Sequence, residues 1–389
     1  MKKKIAIIGA GISGLTFANL LKKNSKYDFT IYEKESSLDL KEGYGVQLST
    51  NSVSILNEVG FKDLKVDNKF NPKKVDFYSL KNNNKICDLD ITQFNSQDVS
   101  YTTLKRSLLV EFLKEKLFTN SIQFDKKVEK INYSNSKIEI TFKNNVTDIF
   151  DHLVIADGLF SPTKSILFSN DIKPKYSGSL AIRTLMEKKD IRFLNENNIS
   201  LLLGSKIHLV AYAINAKNEF NLITIIRKNL NKKDLNDYHF FNDKENIRKF
   251  IKDSSIQKND ELKNLFDNVK DIKCFPTFIS DKIRQSNKKN TFFLGDAFYA
   301  SLPTFAQGAS QSIESAYELL NTLNEDNFDK YFISRIRRIK MINSRSKLNY
   351  YVFHLSNPIF IFIRNLVLQF VVKNKSFLNK YLGQIYLSK

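Results

Sequence analysis

The first fourteen residues, MKKKIAIIGAGISG, constrain the fold more than any other stretch of the chain. Residues 4–8 read as a short buried strand and 9–14 as a glycine loop. Residues 13–23 read as a helix with Leu15, Ala18 and Leu21 on one face. A second strand over 29–32 ends at Glu33. Gly9 permits a tight turn, Gly11 lets backbone approach a pyrophosphate, and Gly14 lets helix and strand pack closely. The helix N-terminus adds a partial positive charge beside the phosphates. Glu33 falls where a carboxylate can accept hydrogen bonds from a ribose. Strand, loop, helix, strand and acid in that order predict a βαβ dinucleotide-binding unit, without separating FAD from NAD.

A chain of 389 residues predicts two intimately joined domains and a tail. With 42% hydrophobic and 12% aromatic residues it has ample material for a core. Cys87 and Cys274 make neither a disulfide framework nor a CxxC pair, which suits a reducing cytoplasm. The four histidines lack metal-ligand spacing, so no metal site is expected. The net charge of +20 comes from lysines scattered along the whole length, and no nucleic-acid motif accompanies them. A solvated basic surface is therefore expected rather than a nucleic-acid partner. The N-terminal apolar run breaks into glycines too soon for a signal peptide.

Further along, a helix is predicted over 104–118. Alternation over 122–124, 128–133 and 137–142 suggests antiparallel strands. A strand over 151–156 meets the turn Asp157-Gly158. In ADGLFSPTKS (156–165) this turn and the N-cap Ser161 are either simply structural or a cofactor contact. Residues 176–228 have the character of a separate sheet, and 231–272 of surface helices. The stretch GDAFYASLPTFAQGASQSIE (295–314) follows a buried strand at 291–294. Asp296 at that strand end can accept hydrogen bonds from a polyol chain. Residues 303–310 then deliver backbone N–H groups to the start of a helix over 311–323, which suits negative charge developing on a ring carbonyl. Two such junctions near opposite ends of the chain imply one long ligand, and FAD fits that better than NAD. Arg106 opens a helix against its dipole, held either by an anion such as the dinucleotide or by nothing more than solvent.

GAGISG with Glu33, EGYGVQLSTNSVSILNEVG (42–60), Arg106, ADGLFSPTKS and GDAFYASLPTFAQGASQSIESA together resemble the class A flavoprotein monooxygenases, the p-hydroxybenzoate-hydroxylase-like enzymes. The set is most similar to the branch holding salicylate hydroxylase, 3-hydroxybenzoate 6-hydroxylase and zeaxanthin epoxidase. YSGSLAIRTL, LLLGSKIHLVAYAI and the tail's NPIFIFIRN extend the resemblance over nearly the whole chain. It implies an α/β fold: a Rossmann-like FAD-binding domain (GR2-type), an inserted mixed β-sheet substrate domain and a C-terminal helical tail. The FAD-binding segments would be 1–72, 101–175 and 276–325, the substrate segments 73–100 and 176–275, and the tail 326–389. It implies FAD on Gly9, Ala10, Gly11, Ile12, Ser13, Gly14, Glu33, Lys34, Gln47, Arg106, Val128, Asp157, Asp296, Pro303, Gln307, Gly308, Ala309 and Ser310.

The same resemblance implies reduction by NADH or NADPH, reaction with O2 to a flavin C4a-hydroperoxide, and hydroxylation or epoxidation of a small aromatic or apolar substrate. His208 and Tyr212 lie four apart on a strand, hence on one face of the sheet. In the resembling hydroxylases such a pair contacts the phenol. His208 would then be a base of near-neutral pKa, the alternative being a satisfied sheet histidine. His208, Tyr212 and Pro303 are the catalytic candidates. Arg183, Tyr299 and Phe305 join His208 and Tyr212 on the substrate side, Arg183 either pairing an anion or making a structural ion pair. The chain departs from the family at Tyr299 (usually His), Ala306 (usually Gly) and Lys164 (usually Arg). Two other readings stay open: an FAD oxidoreductase without oxygen insertion, such as a prenyl-chain reductase, and a non-catalytic flavin-binding protein of the membrane surface. The absence of tryptophan argues against a halogenase.

The tail joins a basic run, SRIRRIKMINSRSK, to the apolar PIFIFIRNLVLQFVV, which is too short and too polar to span a bilayer. Its periodicity predicts a helical cap packed on the FAD domain, with a peripheral anionic-membrane contact as the alternative. A monomer or a homodimer is expected.

Overall fold

The computed structural model describes residues 2–38, 40, 44–168, 172–269, 271–325 and 327–387. Glu42 and Gly43, which begin the 42–60 stretch, lie outside the described residues. The N-terminal strand Lys3–Ile8 is the centre of a five-stranded parallel sheet. Tyr27–Tyr32 and Ile122–Gln123 lie to one side of it, and His152–Ile155 and Thr291–Phe293 to the other. Its near-continuous apolar runs are those of a parallel sheet covered on both faces. Helix Ile12–Leu21 is buried almost all round and packs on helix Gly308–Glu325.

The expected antiparallel trio holds only in part. Val128–Ser134 and Lys137–Phe142 are antiparallel, with Thr147–Phe150 as their third strand. Ile122–Gln123 instead pairs parallel with Tyr27–Tyr32, because the helix Arg106–Glu115 carries the chain back across the sheet before it. That helix is also shorter than predicted. Residues 102–105 form a strand antiparallel to Gly45–Leu48, so Leu104 and Lys105 continue the strand begun by β-branched Thr102 and Thr103 instead of opening the helix.

A second, mixed sheet has seven strands. In spatial order they are Lys273–Ile279, Lys175–Glu187, Glu219–Arg227, Ile207–Ala213, Ile199–Gly204, Lys74–Ser79 and Lys85–Asp90. Strict alternation divides its faces. Ile207, Leu209, Ala211 and Ala213 face a core closed by the helices between residues 232 and 268. His208, Val210 and Tyr212 face the other way, into a cavity shared with the half built on the parallel sheet.

The two long helices of the tail are unlike, and short helical turns follow them between Lys375 and Tyr386. Phe328–Phe353 is docked, with Arg335 and Arg338 reaching buried Glu314 at 2.9 and 2.6 Å. Arg335 also meets Glu318 at 2.9 Å, and Asn51 donates to Glu314 at 2.7 Å. Helix Pro358–Val371 does not behave as the predicted cap. Its one buried residue is Arg364, while Ile359, Phe362, Leu366 and Phe370 are half or more exposed. The pattern was amphipathic, but the guanidinium turns inward to the Val352 carbonyl and to Asn365, so the apolar side faces out.

Candidate active site

Three chain turns converge where the glycine loop ends its strand. Gly9 has φ +106°, and a Cβ there would lie 2.7 Å from the Ala156 carbonyl oxygen and 2.8 Å from Cα of Asp157. A Cβ on Gly14 would overlap the Gly9 carbonyl oxygen, so helix and strand touch through glycine alone. Gly295, with φ +54°, lies against Ser13, where a Cβ would come within 3.0 Å of the Ser13 hydroxyl. The loop 9–14, the turn at Asp157 and the turn at Asp296 therefore form one continuous floor. At Gly11 a Cβ would meet nothing within 4 Å, which leaves bare backbone facing outward at the helix start. Ala10 N–H donates to the Glu33 carboxylate at 2.9 Å, which fixes that acid at the end of its strand. Ile12 and Ser13 are packed into the helix start, and Lys34 is exposed in an ion pair with Glu35. Val128 sends its side chain into the core beside Tyr32 and Phe142.

Asp296 is not the last residue of a strand. It sits in a one-turn helix, Gly295–Phe298, made by the positive φ of Gly295. Its side chain is open to the cavity but has protein on every other side. That crowding raises its carboxyl to about 6, with the charges of Lys164 and Arg106 pulling the other way. Lys164 is buried, donates to the Ala297 carbonyl at 3.1 Å, and has its own pKa lowered by burial against the charges of Asp157 and Asp296. Asp157 accepts from Thr163 N–H at 3.2 Å, and burial raises its carboxyl.

Beyond Asp296 the chain makes the turn Pro303–Phe305, and Ala306 reverses it at φ +50°. The following helix starts at Gly308, earlier than predicted, because Gln311 N–H already reaches the Gln307 carbonyl at 2.8 Å. Gln307 is buried on the cavity wall with its amide nitrogen unpaired, and a Cβ on Gly308 would meet nothing within 4 Å. Ala309 lines the cavity. Ser310 turns its hydroxyl away to Ser49 N–H at 3.1 Å and to Ser52.

The cavity measures about 880 Å³ and runs from Arg106 and Asp296, past Pro303–Ala309, to the open face of the seven-stranded sheet. Gln47, Arg183, His208, Tyr212, Tyr299 and Phe305 all lie on its wall. Tyr101 donates to Gln47 at 2.8 Å, and burial holds the phenols of Tyr101 and Tyr212 well above the usual range. The Arg183 guanidinium lies over the Tyr44 ring at 5.7 Å.

His208 differs from the near-neutral base expected of it. Its Nδ1 is 2.7 Å from Nε2 of His354, just past the docked tail helix. Burial, then the neighbouring imidazole, holds its pKa well below the ordinary value, while burial and Arg227 take His354 down to about 3. His354 and the tail residues Leu368, Leu378 and Leu382, the last three on the cavity wall, had no signal in the sequence to tie them to this site.

Residues 7–38 match the model of an NAD(P)-binding Rossmann-like domain. The chain is 22% identical over 326 residues to a 6-hydroxynicotinate 3-monooxygenase of Pseudomonas fluorescens, covering 83% of each chain. It superposes on Klebsiella pneumoniae HpxO, solved with FAD and uric acid, with a TM-score of 0.82. That match has 16% identity and covers 98% of this chain and 96% of that one. The chain has the class A flavoprotein monooxygenase fold. A salicylate hydroxylase substrate complex shares the fold with a TM-score of 0.79 at 16% identity, over 100% of this chain and 96% of that one. In the flavoprotein monooxygenase fold seen here, the bare backbone at Gly11 and Gly308, the anchored Glu33, the cavity-facing Asp296 and the unpaired Gln307 amide make a donor and acceptor set that fits FAD.

Proposed function

We infer that the chain is an FAD-dependent monooxygenase, reduced by NAD(P)H, that hydroxylates a small aromatic substrate. The observation that carries this reading is adjacency. The dinucleotide loop packs against the Gly295–Asp296 turn, and Asp296 with the Pro303–Gly308 turn lines a mainly apolar cavity whose far wall is a separate sheet. Residues 1–72, 101–175 and 276–325 would hold the cofactor, and 73–100 and 176–275 the substrate.

Gly9–Gly14 and Glu33 would take the adenosine and pyrophosphate, Asp296 and Arg106 the middle of the chain, and the start of helix Gly308–Glu325 the ring. When bound and reduced, FAD supplies the oxygen chemistry. The residues of this chain do the rest. Phe305, Val210 and Ile223 keep the reaction space dry. Tyr212, its phenol kept protonated by burial, lies on the cavity wall beside Gln47 and would offer its hydroxyl to the substrate. Arg183, resting on an aromatic ring at the wall, would draw a substrate carrying an acidic group. His208 keeps a neutral ring, so its role would be to position a substrate hydroxyl rather than to remove its proton.

Purified protein should be yellow. NAD(P)H oxidation should rise on adding an acidic aromatic, with O2 consumed and a hydroxylated product formed. A colourless protein that takes up no FAD overturns the reading. Anaerobic consumption of reductant with a reduced product would turn it into a reductase. Asp296→Ala should lose or loosen the flavin, and full retention removes Asp296 from the FAD grip.

A further inference from the structure

Helix Pro358–Val371 is built inside out. Asn357 caps it by accepting from Ile359 N–H at 2.9 Å, and Pro358 starts it, so its start is fixed by local chemistry. Its inward side holds Arg364. Its outward side carries Ile359 at 68% exposure, Phe362 at 63% and Phe370 at 71%, at helical spacing along one stripe. A row of large exposed aromatic and aliphatic side chains on one element is far more than the scattered surface apolar residues of ordinary proteins.

The tail's own charge is one-sided, and on the strand that the helix packs against, Lys85–Asp90, Asp88 is paired with Lys74 and Lys85. Residues 330–389 contain twelve Lys and Arg and no Asp or Glu. Lys373, Lys375 and Lys380, just beyond the helix, are exposed. The whole chain is at +20, so a second copy brings the same positive field to this face and is repelled by it. An anionic lipid surface complements both the charge and the apolar stripe. Among the described residues no helix is long and apolar enough to cross a membrane. The geometry suits a helix lying in the interface plane.

We propose that helix Pro358–Val371 is an interfacial anchor that lays the protein on an anionic lipid surface. Leu368 and Val371, on its inner side, are cavity wall, so docking sets the cavity beside the headgroup layer. The proposal is independent of the oxygenase reading, because flavin content and NAD(P)H oxidation are read on the same samples.

The test is flotation of the full-length, FAD-loaded protein with equimolar phosphatidylglycerol–phosphatidylcholine vesicles and with phosphatidylcholine alone. The wild type should float with the anionic vesicles, more weakly with neutral ones, and less as salt rises. Phe362→Asp with Phe370→Asp should lower vesicle partition by about tenfold or more, with flavin content and melting temperature unchanged. Lys373→Glu with Lys375→Glu should remove the preference for anionic lipid. No flotation, or equal flotation of wild type and the double aspartate variant, overturns the proposal. So does a wild-type dimer in sedimentation that the double aspartate variant turns into a monomer, which would give the face to a second copy.

Discussion

Ala306 holds a left-handed backbone at φ +50° and ψ +35° with a methyl group that the region disfavours. It does so because it must turn the chain between the Pro303–Phe305 turn and the helix at Gly308, and both of its neighbours are buried. Glycine in its place removes the steric cost but adds freedom to the unfolded chain. Ala306→Gly should therefore be neutral to stabilising, by about 0–1 kcal/mol, in denaturant unfolding. A clear destabilisation would mean that the methyl is held by contacts that outweigh its strain. The position lies on the cavity wall, in the turn that the proposed function gives to the cofactor ring.

At the scale of elements, the docked tail helix Phe328–Phe353 works as a strap. One part of it ties Arg335 and Arg338 to Glu314 on the helix behind the cavity, and its C-terminal end brings His354 to His208 on the sheet. Two imidazoles 2.7 Å apart share a single proton along their contact, so they cannot both be charged, and burial disfavours even the first charge. The folded pKa values of both are depressed, whereas the unfolded chain binds a proton below the ordinary value of 6.5. Stability is thus full above 6.5 and is lost as pH falls from there toward 3. At pH 5 His354 alone costs about 2 kcal/mol, and His208 acts in the same direction. Thermal unfolding followed from pH 7.5 to 5 should show this loss, and His354→Asn should flatten it. An unchanged slope in that variant would place the acid sensitivity elsewhere.

The glycine loop, Glu33 and the existence of a second sheet were legible because they rest on local spacing and period. The His208–His354 pair joins residues 146 apart, and no local pattern announces it. Nor could period alone orient helix Pro358–Val371. Spacing says which residues share a face, but the inward anchoring of Arg364 decides where that face points. Residues 104 and 105 were read as helix for a related reason, since the partner of their strand lies at 45–48.

At the scale of the whole molecule, the parallel sheet is assembled out of sequence order. His152–Ile155 has Lys3–Ile8 on one side, and its other edge is covered only by Thr291–Phe293. A fragment of residues 1–290 should therefore aggregate and hold no flavin, since it keeps a bare apolar edge and lacks Asp296. Recovery of a soluble, monodisperse, flavin-binding fragment on gel filtration would contradict this. During translation the same order imposes a wait. At ordinary elongation rates the ribosome needs on the order of ten seconds to pass from the strand at 152 to the one at 291. For that interval the nascent chain carries an open sheet edge and half a nucleotide site. A chaperone that shields apolar strand edges on the growing polypeptide would find its substrate there, and flavin incorporation would be an event of the last quarter of synthesis.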